Sequence, residues 1–134
     1  MPKDAPSDQN VLKKFGFAPV GMIVLQPTPF CNLDCDYCYL PDRQSKNQLS
    51  LDVLTAIFDK IFAANFLEKN LTVAWHAGEP LSVPISFYEK AFEIIETLKE
   101  KFNLSSLRIT HTLQTNGTLI NQGWCDLFKK YDVK

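Results

Sequence analysis

Three of the four cysteines fall within eight residues, in the segment Cys31-Asn32-Leu33-Asp34-Cys35-Asp36-Tyr37-Cys38. Thiolates are the usual ligands of an iron–sulfur cubane, whose four irons need four ligands. Three cysteines on one short loop can each take one iron. The fourth iron then stays open to chelate a small molecule through an amine and a carboxylate. The same spacing suits zinc, which in a structural site closes its shell with a fourth ligand. His76, His111 and Cys125 are the candidates for that position. His111 alternates with Thr110 and Thr112 and reads as a packed strand side chain, while Cys125, beside Trp124, reads as a small buried hydrophobe. A tight triplet is unlike the dispersed cysteines of a secreted disulfide scaffold. It points to a reducing compartment and a metal or cluster site, with cluster and zinc both open.

The rest of the chain must position that loop. Its 134 residues suit one domain, with 46% hydrophobic and 22% charged residues and a net charge of -1. No basic stripe marks a nucleic-acid partner. No uncharged apolar run approaches the ~18 residues of a membrane helix. The opening MPKDAPSDQN lacks the apolar stretch of a signal peptide. The expectation is a cytoplasmic protein with neither nucleic acid nor membrane as partner.

Residues 1–18 are mostly polar and read as a flexible arm with at most one helical turn. Residues 19–134 read as the folded part. Met22–Leu25 is a short apolar strand stopped by Pro27 and Pro29. Ser50 caps a helix over residues 51–64, with Leu51, Leu54, Ile57, Phe58, Ile61 and Phe62 on one face. Leu71–His76 is a second strand, ended by Ala77-Gly78-Glu79-Pro80. Ser86 and Glu89 form a capping box that opens a second long helix. Leu107–Leu113 alternates as a third strand, and Gly123–Tyr131 is a further helix. Strand and helix alternate throughout, which predicts an α/β fold with a parallel sheet and right-handed crossovers.

Cys-x3-Cys-x2-Cys with an aromatic residue, Tyr37, before the last cysteine resembles the signature of the radical S-adenosylmethionine superfamily. Ala77-Gly78-Glu79-Pro80 resembles that superfamily's Gly-Gly-Glu-Pro motif, and Leu113-Gln114-Thr115-Asn116-Gly117 fits after the third strand. The resemblance covers roughly residues 19–134. Trp75 to Leu81 and Gln114 to Leu119 look like the branch of peptide and protein maturases, which includes the anaerobic sulfatase-maturating enzymes. Gln26-Pro27-Thr28 and Tyr39-Leu40-Pro41-Asp42-Arg43 look closest to members that crosslink an aromatic ring to a nearby side chain in a ribosomally made peptide.

The resemblance implies that Cys31, Cys35 and Cys38 hold a [4Fe–4S] cluster whose unique iron binds S-adenosylmethionine. Tyr37 would reach the adenine mainly through its backbone, or simply pack its ring on the cluster loop. Gly78, Glu79 and Pro80 would line the cofactor's amino group, with Ala77 replacing the motif's first glycine. Gln114 and Asn116 could bind cofactor or substrate, and His76 could contact substrate. An electron from a donor such as flavodoxin or ferredoxin would let the cofactor yield a radical that takes hydrogen from a peptide or protein substrate. Oxidation of a Cys or Ser in a sulfatase to formylglycine is the alternative outcome, and a cluster-binding remnant without catalysis is a third.

The implied fold is a partial βα barrel of the TIM-like kind with six βα units, of which this sequence supplies three. A closed eight-unit barrel takes about 250 residues. The expectation is therefore the N-terminal part of a longer enzyme, with no second cysteine cluster of the auxiliary (SPASM) type, and with open sheet edges that favour association.

Overall fold

The computed structural model describes residues 8–134. The first seven residues of the expected arm lie outside the described residues. The remainder of the arm contains helix α1, Asp8–Lys14.

The elements that follow are strand β1, Val20–Leu25; helix α2, Leu51–Ala64; strand β2, Leu67–Trp75; helix α3, Ile85–Lys101; strand β3, Arg108–Leu113; and helix α4, Gln122–Tyr131. Three parallel strands form one open sheet in the order β1-β2-β3. This is the parallel α/β arrangement that the alternation of strand and helix predicts, in three βα units. Strand β2 begins four residues before the expected Leu71. Leu67 pairs with Val20, and the register shifts before Met22 meets Thr72.

Period-two alternation divides the sheet into two faces. Leu71, Val73 and Trp75 point to the helices and are fully buried. They meet Leu54, Phe58 and Phe62 of α2, which recur every four residues, and Tyr88, Ala91, Phe92, Ile95 and Leu98 of α3. The opposite face is uncovered: Met22 is 60% and Val24 57% exposed. Among the described residues, neither edge of the sheet has a full neighbouring strand. Beyond α4 the chain returns to the β3 edge, where the Lys134 N–H donates to the His111 carbonyl and the Leu113 N–H donates to the Lys134 carbonyl, each at 2.9 Å.

The helix ends follow ordinary capping chemistry. The Ser50 hydroxyl accepts from the Val53 N–H at 3.1 Å, and the Asn121 side chain accepts from the Trp124 N–H at 3.2 Å. The expected capping box at Ser86 does not form. The cap of helix α3 is Pro84, two residues before Ser86, with no side-chain hydrogen bond, and Glu89 instead faces Lys130 at 3.8 Å. Pro84 presets the φ that leads into the first turn, so Ser86 lies inside the helix, past the capping position. Cys125 also departs from expectation. Trp124 and Leu127 take the buried side of α4, and Cys125, one residue on, is exposed on the outer side. No described helix is long and apolar enough to cross a membrane.

Trp75 is the centre of the core. Its ring meets Phe87, Tyr88 and Phe92 edge-on at 5.2–6.1 Å and stacks on His111. Its Nε1–H donates to His111 Nδ1 at 3.3 Å, which requires that nitrogen to be unprotonated. His111 is thus the packed strand side chain that its alternation implies. Burial lowers its pKa from 6.5 to about 4. The folded state therefore binds fewer protons than the unfolded chain between those values. Stability should be full above about pH 6.5, fall by up to ~3 kcal/mol as pH drops to about 4, and level off below. Urea titrations at stepped pH should show this loss reduced in His111→Gln, which keeps an acceptor for Trp75 but does not titrate; parallel curves would contradict it.

Candidate functional site

Register brings the motifs together. Leu25, Trp75 and Leu113 are Cα partners across the sheet, so all three strands end level. The ladder continues one step further, with the His76 N–H donating to the Leu25 carbonyl at 2.9 Å and the Gln114 N–H to the Trp75 carbonyl at 3.0 Å. Three loops therefore leave the same rim side by side: 26–49, 76–79 and 114–121.

The middle loop makes the closest contact. Gly78 has φ +62°, and a Cβ there would fall 2.2 Å from the Thr28 carbonyl oxygen and 2.7 Å from that of Phe30. Only glycine fits this approach. The Glu79 N–H then donates to the Phe30 carbonyl at 2.7 Å. Ala77 sits at φ +79°, the left-handed region that glycine favours, so the alanine that stands in the motif's first glycine position keeps the turn under strain.

Glu79 joins the loops. Its side chain is fully buried, with 1% of the residue exposed. Oε1 accepts from the Leu81 N–H at 2.9 Å and the Thr115 hydroxyl at 2.6 Å, and Oε2 accepts from the Asn116 N–H at 2.8 Å. The carboxylate ties the β2 end to the β3 end. Pro80 is buried behind it, where its carbonyl accepts from the Tyr88 hydroxyl at 2.8 Å. Burial, and then the nearby Glu79 charge, raise the Tyr88 pKa strongly.

The cysteine loop is held from two sides. On one, the Arg43 guanidinium donates to the Cys35 carbonyl at 3.1 Å and pairs with Asp34 at 2.9 Å, while its own carbonyl accepts from the Cys31 N–H at 3.0 Å. On the other, the Asn32 side chain meets Asn116 and Thr118 at 2.9 and 2.8 Å. Beneath it, the buried Thr28 hydroxyl donates to the Asn47 carbonyl at 2.6 Å and fixes the loop's return. All three thiols are free and half-buried. The Tyr37 ring does not pack on the loop: it is 89% exposed. The Cys35 thiol beside it raises its pKa.

Two kinds of metal centre were open on spacing. Among the described residues, no three His, Cys, Asp or Glu side chains gather closely enough for a single ion. His111 lies in the core bonded to Trp75, and Cys125 lies on the outside of α4. A closed zinc site thus lacks two of its three candidate fourth ligands. Three separate thiols on one solvent-reachable loop fit a cubane, in which each binds a different iron.

The open face beside the rim carries a shallow cavity of about 390 Å³ lined by Met22, Val24, Ala74, Thr112, His76 and Gln114, among others. His76 Nδ1 is buried without a hydrogen-bond partner among the described residues.

Residues 25–134 match the Radical SAM superfamily. The chain belongs to that superfamily. It is 56% identical over 117 residues to an uncharacterized protein of Synechocystis sp., covering 87% of this chain and 29% of that one. It is 37% identical over 112 residues to the serine-type anaerobic sulfatase-maturating enzyme of Klebsiella pneumoniae, covering 81% of this chain and 27% of that enzyme. Among solved structures, native anSMEcpe with bound AdoMet and Cp18Cys peptide superposes with a TM-score of 0.70 and 28% identity, over 86% of this chain and 30% of that one. The chain spans less than a third of each of these relatives.

This radical SAM chain thus brings the triplet, the Gly78-Glu79-Pro80 turn and the Gln114–Asn116 segment to one rim. Asn32, Arg43, Thr115 and Thr118 had no assigned role in the sequence, although Arg43, Thr115 and Thr118 lie in strings singled out for their resemblance. Small polar residues announce such ties only when their partners, up to 86 positions away, are known.

Two expectations follow for stability. Ala77→Gly should raise it by about 1 kcal/mol by relieving left-handed strain, whereas Gly78→Ala should lower it by more than ~2 kcal/mol. Glu79→Ala, which strands three donors, should cost about 3 kcal/mol or more, and Glu79→Gln less. Urea midpoints at pH 7.5 check all four, and equal effects at 77 and 78 would refute the reading.

Proposed function

We propose that residues 19–134 form the N-terminal part of a radical SAM core that modifies a peptide or protein. Cys31, Cys35 and Cys38 are the proposed ligands of a [4Fe–4S] cluster. The observation that carries this is the convergence of the cysteine loop and the Gly78-Glu79-Pro80 turn at one strand-end rim, locked by the contact between Gly78 and Thr28. The cluster and S-adenosylmethionine, when bound, supply a carbon-centred radical able to take hydrogen from an unreactive C–H bond.

The chain's own residues bind, orient and exclude water. In the turn at residues 78–80, Ser82 engages the Glu79 carbonyl and Tyr88 and Val83 the Pro80 carbonyl, so the Gly78 carbonyl is the proposed acceptor for a cofactor amino group. The Glu79 carboxylate, with its oxygens already engaged by three donors, acts mainly by fixing that turn. The Tyr37 backbone is the proposed adenine contact, and Gln114 and Asn116 border the same rim. His76, which lines the apolar cavity beside the rim, is the proposed substrate contact. Free thiols throughout suit a reducing, cytoplasmic compartment, with a flavodoxin or ferredoxin as electron source.

The modification we infer is a crosslink within a ribosomally made peptide. Its support is the sequence on either side of the triplet, Gln26-Pro27-Thr28 and Tyr39 to Arg43. Formylglycine formation is a second reading, favoured by the 37% identity to the Klebsiella pneumoniae enzyme.

Oxygen-free reconstitution with iron and sulfide should give a brown protein holding about four irons per chain. Ala at Cys31, Cys35 or Cys38 should abolish this; Cys125→Ala should not. Stoichiometric zinc without cluster assembly would overturn the proposal. In a longer protein carrying these residues, dithionite and S-adenosylmethionine should release 5′-deoxyadenosine. Fragment mass spectra of the treated peptide then separate the two products. A bond joining two side chains supports crosslinking, and an aldehyde that reacts with hydroxylamine replaces it with the second reading.

A further inference from the structure

Asn116 makes contacts that ending a strand does not require. Its side-chain Nδ2 donates to Asn32 Oδ1 at 2.9 Å and stands 4.0 Å from Cys31 Sγ. Its Oδ1 accepts from the Thr118 N–H at 3.0 Å and the Thr118 hydroxyl at 2.8 Å. Its backbone N–H donates to Glu79 Oε2. The circuit closes from the other side, where Asn32 Nδ2 donates to Thr118 Oγ1 at 2.8 Å.

The network also fixes which way the Asn116 amide points. Rotated by half a turn, it would set its NH2 against the Thr118 N–H and its oxygen against Asn32 Oδ1, a donor on a donor and an acceptor on an acceptor. The N–H2 end is thereby held toward the cysteine loop. The Leu33 N–H, at 3.4 Å, is the other donor on the Cys31 sulfur.

We propose that Asn116 is a positioning residue that docks the cysteine loop through Asn32 and directs an N–H donor toward the Cys31 sulfur, raising the reduction potential of a cluster bound there. One-electron reduction adds a negative charge to the cluster and its sulfurs. A donor on a ligating sulfur stabilises that reduced form more than the oxidised one. The docking half concerns the metal-free chain; the second half rests on the cluster reading above.

The test separates them. In the metal-free chain, amide exchange at residues 31–33 should become roughly fivefold to tenfold faster in Asn116→Ala, the loss of a net hydrogen bond. Thr118→Val should do the same from the other side of the circuit without touching Glu79 or β3. Asn116→Asp keeps the acceptor for Thr118 but removes the donor, so it should also speed exchange at 31–33. Unchanged exchange in Asn116→Ala and Thr118→Val would overturn the docking. After reconstitution with iron and sulfide, dithionite titration followed by electron paramagnetic resonance should place the midpoint potential of Asn116→Ala below that of the parent. An equal potential in cluster-replete protein would overturn the role at the sulfur. Failure of the parent itself to assemble a cluster would overturn the proposed function and that second half with it, while the exchange result would stand by itself.

Discussion

A carboxyl group taken out of water must find donors inside the protein, and the rim of this sheet is organised around that requirement at Glu79. Its three donors come from two places: the Leu81 N–H in its own turn, and the Thr115 hydroxyl and Asn116 N–H from the loop after β3. Satisfying the group therefore fixes the distance between two loops that share no covalent connection nearer than 36 positions. The third loop is drawn in by backbone, through the Glu79 N–H on the Phe30 carbonyl and through Gly78 against Thr28. Moving Glu79 would disturb all three loops together.

The strain at Ala77 belongs to the same arrangement. Two successive residues with positive φ turn the chain sharply off the end of β2 and bring Gly78 and Glu79 against Thr28 and Phe30 in the loop that follows β1. Left-handed backbone costs an alanine about 1–2 kcal/mol. It persists because the contacts beyond it, the buried Glu79 and Pro80 and the Tyr88 hydroxyl on the Pro80 carbonyl, over-determine the path. Tyr88 also packs on Trp75, whose carbonyl receives the Gln114 N–H. The aromatic core and the rim are thus one mechanical unit.

Much of this was legible in the residues. The strands and helices announced themselves through period: Leu71, Val73 and Trp75 alternate, and Leu54, Phe58 and Phe62 recur on one helix face. Parallel order followed from the alternation of strand and helix, and parallel strands ending level placed the three motifs at one edge. What failed were signals that depend on a neighbour's identity. Ser86 and Glu89 match a capping box, but Pro84 starts the helix first. Cys125 has buried residues near it in sequence and lies on the far side of the helix from them. The Glu79 carboxylate looked free to meet a ligand because its donors, at 115 and 116, are invisible from position 79.

That last case shows how the site divides its work. Groups that would touch a cofactor need to be reachable, and the three thiols are half-buried on a loop pinned by Arg43 on one side and by Asn32 on the other. Groups that hold the geometry need to be out of reach of water, where their hydrogen bonds count for most, and Glu79 and Thr28 are both almost fully buried. A triplet of cysteines can wrap a cluster locally in sequence. Placing a cluster bound there against a second loop at fixed distance could not be local, and the two loops are joined by one buried carboxylate, one glycine without room for a methyl group, and an amide pair spanning 84 positions. The long-range ties, more than the cysteines themselves, hold the three loops in one arrangement.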